Sequence, residues 1–412
     1  MNLIYGCGDN NAGGKFNVDK DSTLDKAKAC KELSGNEFIF DVQTHHVNPG
    51  GDWRKDSKGW ESFLSYLPQG FCGEKDRVDC YDPSHYIREV FLNSDTSMAV
   101  LSAVPALPGK NPLEIEDAVA TRRLLERLSD TERLILHGLV MPNLGTEQLE
   151  SMDSLVEKNK ISAWKVYTPF GGWRLDDEKV GIPFIEKAKK TGVKVICAHK
   201  GFPLQGFDPK YAAPDDIGTV AKAYPELTFI IYHSAYEGNV KEGPYDPDGK
   251  GVDRLIRTLL DNGIAKSSNV YAELGSTWRS LMTKPDEAAH VIGKLIKYLG
   301  EDNVVWGTDS IWYGSPQDQI KAFRAFEISE SFQEKYAYKK LDERLKQKIL
   351  GLNAAKAYGV DPNKKRCAIK EDELAKMKAS RPEIDIPSFR KYGPRTRREF
   401  MDFLKLRDFI PG

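Results

Sequence analysis

VKVICAH (Val193–His199) and LTFIIYH (Leu227–His233) are two short apolar runs, each closing on a histidine, with a helix-length segment between them. Near-continuous apolar runs of this length mark strands buried on both faces. Their alternation with helices calls for a parallel sheet. Working outward, six more such runs stand along the chain: FIFDVQ (Phe38–Gln43), SMAVLSAV (Ser97–Val104), RLILHGLV (Arg133–Val140), SAWKVYT (Ser162–Thr168), NVYAEL (Asn269–Leu274) and NVVWGTD (Asn303–Asp309). Helical patterns fill the intervals, among them IEDAVATRRLLERL after the second run, IPFIEKAKK before Gly192, and EAAHVIGKLIKYLG, whose Gly300 suits a helix C-cap. Eight strand-then-helix units in succession fit a TIM (β/α)8 barrel better than a doubly wound sheet. No GxGxxG follows the first strand, so dinucleotide binding has no support.

The barrel is expected over residues 36–360, with an N-terminal arm over 1–35 and a C-terminal extension over 361–412. That extension carries 14 Lys and Arg against 9 Asp and Glu. It reads as a solvated wrapping segment that packs Phe389, Phe400, Phe403, Leu404 and Phe409 on the barrel or on a second subunit. The whole chain of 412 residues has 60 basic and 61 acidic side chains, a balance that argues against nucleic acid or an anionic membrane as partner. Nothing approaches the 18 or so uninterrupted apolar residues of a spanning helix. The opening MNLIYGCGDNNAGG lacks the basic and apolar regions of a signal peptide, so a cytoplasmic location is expected. The expected partner is a small-molecule substrate, with a homodimer or higher homo-oligomer as the expected assembly. Six cysteines are too few for a disulfide scaffold, and Cys72 and Cys80 are expected as free thiols.

Chemistry gathers at the strand ends. Residues two apart on a strand share a face, so Asp41, Gln43 and His45 are expected to point together into the barrel mouth. The fifth strand ends in His199, the sixth in His233 and the eighth in Asp309. These are C-terminal strand ends, the face on which barrels of this kind place catalysis. Imidazole and carboxylate groups collected there form a candidate site for a divalent ion. His137 and His46 read as structural. After the strands come Trp53, Trp173, Trp278 and Trp312, with Arg54, Arg174 and Arg279 beside the first three, a set suited to a planar substrate bearing a carboxylate. Lys165 and Glu273 are further candidates for substrate contact, and the loop from about His46 to Ser84 is the candidate lid.

This pattern resembles the amidohydrolase superfamily of metal-dependent hydrolases, in particular the amidohydrolase-related branch that includes nonoxidative decarboxylases and lactone hydrolases. In that branch Asp-x-His-x-His closes the first strand; here the matching residues are Asp41, Gln43 and His45, followed by His199, His233, and Asp309 within WGTD. ILGLNAAKAYG resembles the Asn-Ala-rich helix that follows the family's eighth strand. The resemblance implies one divalent ion, zinc or manganese, held by His45, His199, Asp309 and Gln43, with Asp309 and His233 as catalytic groups and Asp41 orienting them from behind. Gln43 departs from the family pattern, because its neutral carbonyl oxygen is a weaker donor than imidazole or carboxylate. The leading expectation is a hydrolase that uses metal-activated water on a small cyclic or aromatic substrate bearing a carboxyl group. A nonoxidative decarboxylase on the same site is the first alternative, and a barrel that binds without catalysis is the second.

Overall fold

The computed structural model describes residues 12–23, 25–56, 63, 67, 72–203 and 206–380. A short strand β1 (Gly14–Phe16) precedes eight barrel strands: β2 (Ile39–Thr44), β3 (Thr96–Leu101), β4 (Leu134–Leu139), β5 (Ala163–Val166), β6 (Val195–His199), β7 (Thr228–Tyr232), β8 (Val270–Glu273) and β9 (Val304–Val305). All eight are parallel and pair in sequence order, as the TIM-barrel expectation requires. The cylinder is joined between β2 and the segment through and beyond β9: Val42 N–H donates to Trp306 O (3.0 Å), Asp309 N–H to Gln43 O (2.9 Å) and His45 N–H to Ser310 O (2.6 Å).

Alternation along each strand divides the core into two layers. Phe40, Val42, Met98, Val100, Ile135, Cys197, Ile230 and Val305 fill the barrel interior, which Ala354, Ala355 and Tyr358 close from below. Ile39, Leu101, Leu136, Trp164, Val166, Ile196, Phe229 and Val304 face outward into the layer shared with the helices. Burying each such side chain stabilises the fold by about 1.5–3 kcal/mol. The helices stop where the sequence predicts: Ile115–Ser129 follows β3, and Gly181–Thr191 ends on Gly192 in the left-handed region at φ 80°.

The flanking parts are tied to the barrel. β1 pairs antiparallel with β10 (Phe326–Ile328), so the described part of the arm is stitched to a segment more than 300 residues away. In the extension, helices Pro362–Glu371 and Glu373–Ser380 dock through a buried ion pair in which Arg133 Nε and Nη2 reach the two carboxylate oxygens of Asp372 at 2.6 and 2.7 Å. The extension's five predicted anchors, Phe389, Phe400, Phe403, Leu404 and Phe409, lie outside the described residues.

One expectation is corrected here. Cys72 and Cys80 form a disulfide: a turn brings their Cα atoms to 5.6 Å, within bridging range. No described helix is long and apolar enough to cross a membrane.

Candidate active site

Strand β2 does not run straight into the mouth. Its pairing with β3 shifts register between Asp41 and Thr44. Thr44 Oγ1 therefore turns outward, hydrogen-bonding Val100 O and the Tyr86 hydroxyl, each at 2.7 Å. Gln43 and His45 turn inward. Asp41, expected on the same face, stays behind them: its carboxylate accepts the backbone N–H groups of Gln43 and Thr308, each at 3.1 Å, and contacts the Thr308 hydroxyl. Burial raises its pKa to about 7 against these hydrogen bonds. The shared-face expectation thus fails at Asp41, because the register shift breaks the period of two.

Asp309 is the hub of the mouth. Its backbone sits in the left-handed region at φ 60°, just after the point where Asp41 pins Thr308. Oδ1 accepts from Gln43 Nε2 at 3.0 Å and lies 3.1 Å from His45 Nε2, and Oδ2 accepts from Ser276 Oγ at 2.5 Å. Burial alone would raise this carboxyl, but His45, His233 and Ser276 together hold it well below the usual carboxylate range.

The three imidazoles are fixed in the same way. His45 Nδ1 donates to Ser102 O (2.6 Å), His233 Nδ1 to Gly275 O (2.6 Å), and His199 Nε2 lies 3.4 Å from Phe202 O. Burial keeps His199 well below its ordinary range and His233 near pKa 4, so both rings are neutral and each keeps one lone pair. Their ring centroids are 4.6 Å apart, and Gln43 Nε2 is 3.5 Å from His233 Nε2. His45, His199, His233, Asp309 and Gln43 are therefore brought into one connected cluster from β2, β6 and the ends of β7 and β9.

Residues 91–360 match the family model described as Amidohydrolase. The chain belongs to the amidohydrolase family. The 2-amino-3-carboxymuconate-6-semialdehyde decarboxylase of Dictyostelium discoideum is 21% identical over 351 residues, 79% of this chain and 92% of that one. An uncharacterised TIM-barrel protein from Bordetella bronchiseptica superposes with a TM-score of 0.50 at 15% identity, over 78% of this chain and 98% of that one. A 5-carboxyvanillate decarboxylase from Novosphingobium aromaticivorans, solved with bound manganese, has a TM-score of 0.47 at 10% identity, over 79% and 97%.

In this amidohydrolase the donor chemistry suits a cation. With Nδ1–H given to Ser102, His45 Nε2 can face the Asp309 carboxylate only with a second ring proton or with a cation between them. Each imidazole turns one nitrogen to a backbone carbonyl, the arrangement that orients metal-ligating histidines. Gln43 Oε1 has no hydrogen-bond partner, and half a turn of the amide exchanges it with Nε2. As they stand, no three His, Cys, Asp or Glu side chains among the described residues could hold a metal ion between them. The Gln43 amide nitrogen, donating to Asp309 and close to His233, lies among the very groups an ion would draw together.

The amidohydrolase's walls differ from the sequence expectation. Trp312 stacks on His45, with ring centroids 5.5 Å apart. Trp278 lies away from this cluster: it is fully buried, donates to Gln319 O and packs against Phe323 in the outer layer. Trp53 donates to Asn48 O within its own loop, and Trp173 packs on Phe184. Arg54 is paired with Asp76 and Arg174 with Asp176, so both guanidiniums serve loop structure. Arg279 stacks 3.7 Å over the Tyr313 ring. Glu273 lies beneath the mouth, its oxygens taken by the backbone N–H groups of His233 and Gly275. Burial pushes its pKa up to about 8. Sequence reasoning missed Ser276, whose hydroxyl also contacts the Tyr313 hydroxyl at 2.9 Å, and Ser102. Their signal was a small polar residue just past a strand end, too common a feature to single out.

Proposed function

We propose that this amidohydrolase is a lyase that releases the carboxylate of a small acid as carbon dioxide, without hydrolytic water. The observation that carries this reading is the clamp on Asp309. A hydrolase of the expected kind needs this carboxylate to take a proton from water, yet Gln43, His45 and Ser276 already occupy its two oxygens. A carboxylate so engaged is poorly placed to accept a further proton. The Dictyostelium relative, matched over 92% of its length, is a decarboxylase, which supports the same reading.

The chain's own groups suit this task. Trp312 and His45 form a flat wall for a planar acid. Their burial strips water from a bound carboxylate and favours its conversion to a neutral molecule. His233, neutral and with its tautomer fixed by Gly275, accepts a hydrogen bond from a substrate hydroxyl or enol. Asp309, through its contacts with Gln43 and Ser276, fixes where the substrate's polar edge can lie.

One divalent ion, zinc or manganese, is part of the proposal, with His45, His199, Asp309 and Gln43 Oε1 as the groups to hold it. When bound, such an ion polarises a substrate oxygen as a Lewis acid. As for compartment, the Cys72–Cys80 bridge favours an oxidising environment over the cytoplasm expected from the sequence.

The test is product analysis on a panel of hydroxy and keto aromatic acids and lactones, with manganese or zinc supplied. Carbon dioxide release with no ¹⁸O from labelled water in the organic product supports the lyase. Lactone or amide cleavage with label incorporated and no bicarbonate overturns it.

A further inference from the structure

Among the described residues three lysines are fully buried, and the fold treats one of them differently. Lys200 is paired with Asp216 at 2.8 Å, and Lys294 with both Glu242 and Asp253 at 2.6 Å. Each of these ammonium groups has a carboxylate to offset its lost hydration. Lys165 has none. Its Nζ is buried with no hydrogen-bond partner among the described residues. It rests on aromatic faces, 3.2 Å from the Tyr232 ring centroid and 4.8 Å from that of Tyr167.

Its position is inside the barrel. On β5, Trp164 and Val166 face the helices and Ala163 faces the interior layer, so Lys165 projects inward. Asp309 and Glu273 both act on its charge, which places it in the field of the mouth. Leaving an amine without a partner costs stability, and the fold meets that cost at Lys200 and Lys294 but not here.

We propose that Lys165 is a covalent site for a small carbonyl compound, forming an imine with an aldehyde or keto group. The amine nitrogen attacks the carbonyl carbon and a C–N bond forms. The carbonyl oxygen takes up the two amine protons and departs as water, leaving a C=N double bond to Lys165. Where the carbonyl carbon lies β to a carboxylate, the protonated imine accepts the electron pair of the breaking C–C bond. Carbon dioxide leaves, an enamine remains, and protonation at carbon followed by hydrolysis returns the amine. This second stage rests on the lyase reading above, whereas imine formation does not. Burial lowers the Lys165 pKa to about 7, so a large share of the amine is unprotonated at neutral pH, against about four parts in ten thousand for an exposed lysine.

The experiment is reductive trapping of the full chain at pH 7. Protein is incubated with acetoacetate or propionaldehyde plus cyanoborohydride and mapped by peptide mass spectrometry, and carbon dioxide release is followed in parallel without reductant. The proposal expects the adduct on Lys165 before any exposed lysine, and its loss in Lys165→Met. Because mapping is done on the unmodified chain, the result does not depend on that variant folding. Adducts confined to other lysines overturn the imine. Carbon dioxide release from acetoacetate with no Lys165 adduct overturns the imine and leaves the lyase standing. A Lys165 adduct without carbon dioxide supports the imine and counts against the lyase for that acid.

Discussion

Asp41 offers a quantitative test of how the base of the mouth is built. Burial raises its pKa from 3.8 to about 7. Its hydrogen bonds, two backbone N–H groups on Oδ1 and the Thr308 hydroxyl on Oδ2, favour the ionised form, and burial outweighs them. The unfolded chain releases this proton near pH 4 and the native chain keeps it until about pH 7. Its contribution to stability is therefore complete below about pH 4 and lost as pH rises to about 7. The difference of about 3 pKa units corresponds to about 4 kcal/mol. Asp41→Asn is close to isosteric and cannot titrate. Urea unfolding, read by circular dichroism at pH 5 and pH 8 with chelator present, should find this variant less sensitive to pH than the parent, and more stable than it at pH 8 by up to about 4 kcal/mol. A variant that keeps the parent's pH dependence, or is less stable than the parent at pH 8, would refute the burial argument, because it would mean that Asp41 is held ionised.

Three further outcomes are expected. Asp372→Ala removes one partner of a buried, doubly bonded pair and should cost about 3–5 kcal/mol in urea unfolding, because Arg133 is left charged and buried; a loss under about 1 kcal/mol would mean that the extension is only loosely docked. His199→Ala and Asp309→Asn should each abolish zinc or manganese binding by calorimetry, whereas His233→Ala should retain the ion and lose turnover, and unchanged metal affinity in either of the first two would remove that residue from the ligand set. Gln43→His should tighten the same binding by at least tenfold, since imidazole is a better donor than a neutral amide oxygen; equal affinity would place position 43 outside the coordination sphere.

Much of the architecture was legible because strand and helix periods are local properties. The eight apolar runs and the helix between Gly181 and Thr191 follow directly from such patterns. So does the placement of His45, His199, His233 and Asp309 at strand ends, which the barrel then gathers. Three features were not legible. The register shift in β2 turns Asp41 away from Gln43, and only the pairing with β3 decides it. The tryptophans that follow strands divide between mouth and core, with Trp312 on His45 and Trp278 on Phe323, because loops of similar composition dock on different layers. Arg54 and Arg174 find carboxylates within their own loops, a choice set by turn geometry.

What the amino-acid sequence determined by itself is the alternation of buried strands with amphipathic helices, and hence a closed parallel barrel with imidazoles and a carboxylate at one rim. Hydrophobic period is sufficient for that, since each run must bury both faces. What only the tertiary structure decided is how each of those groups is charged and partnered. Asp309 is clamped by Gln43, His45 and Ser276, His199 and His233 are neutral, and Lys165 is left without the carboxylate that its two buried counterparts have. Desolvation and hydrogen bonding depend on neighbours that lie far apart in the chain, so they exist only once the barrel has closed.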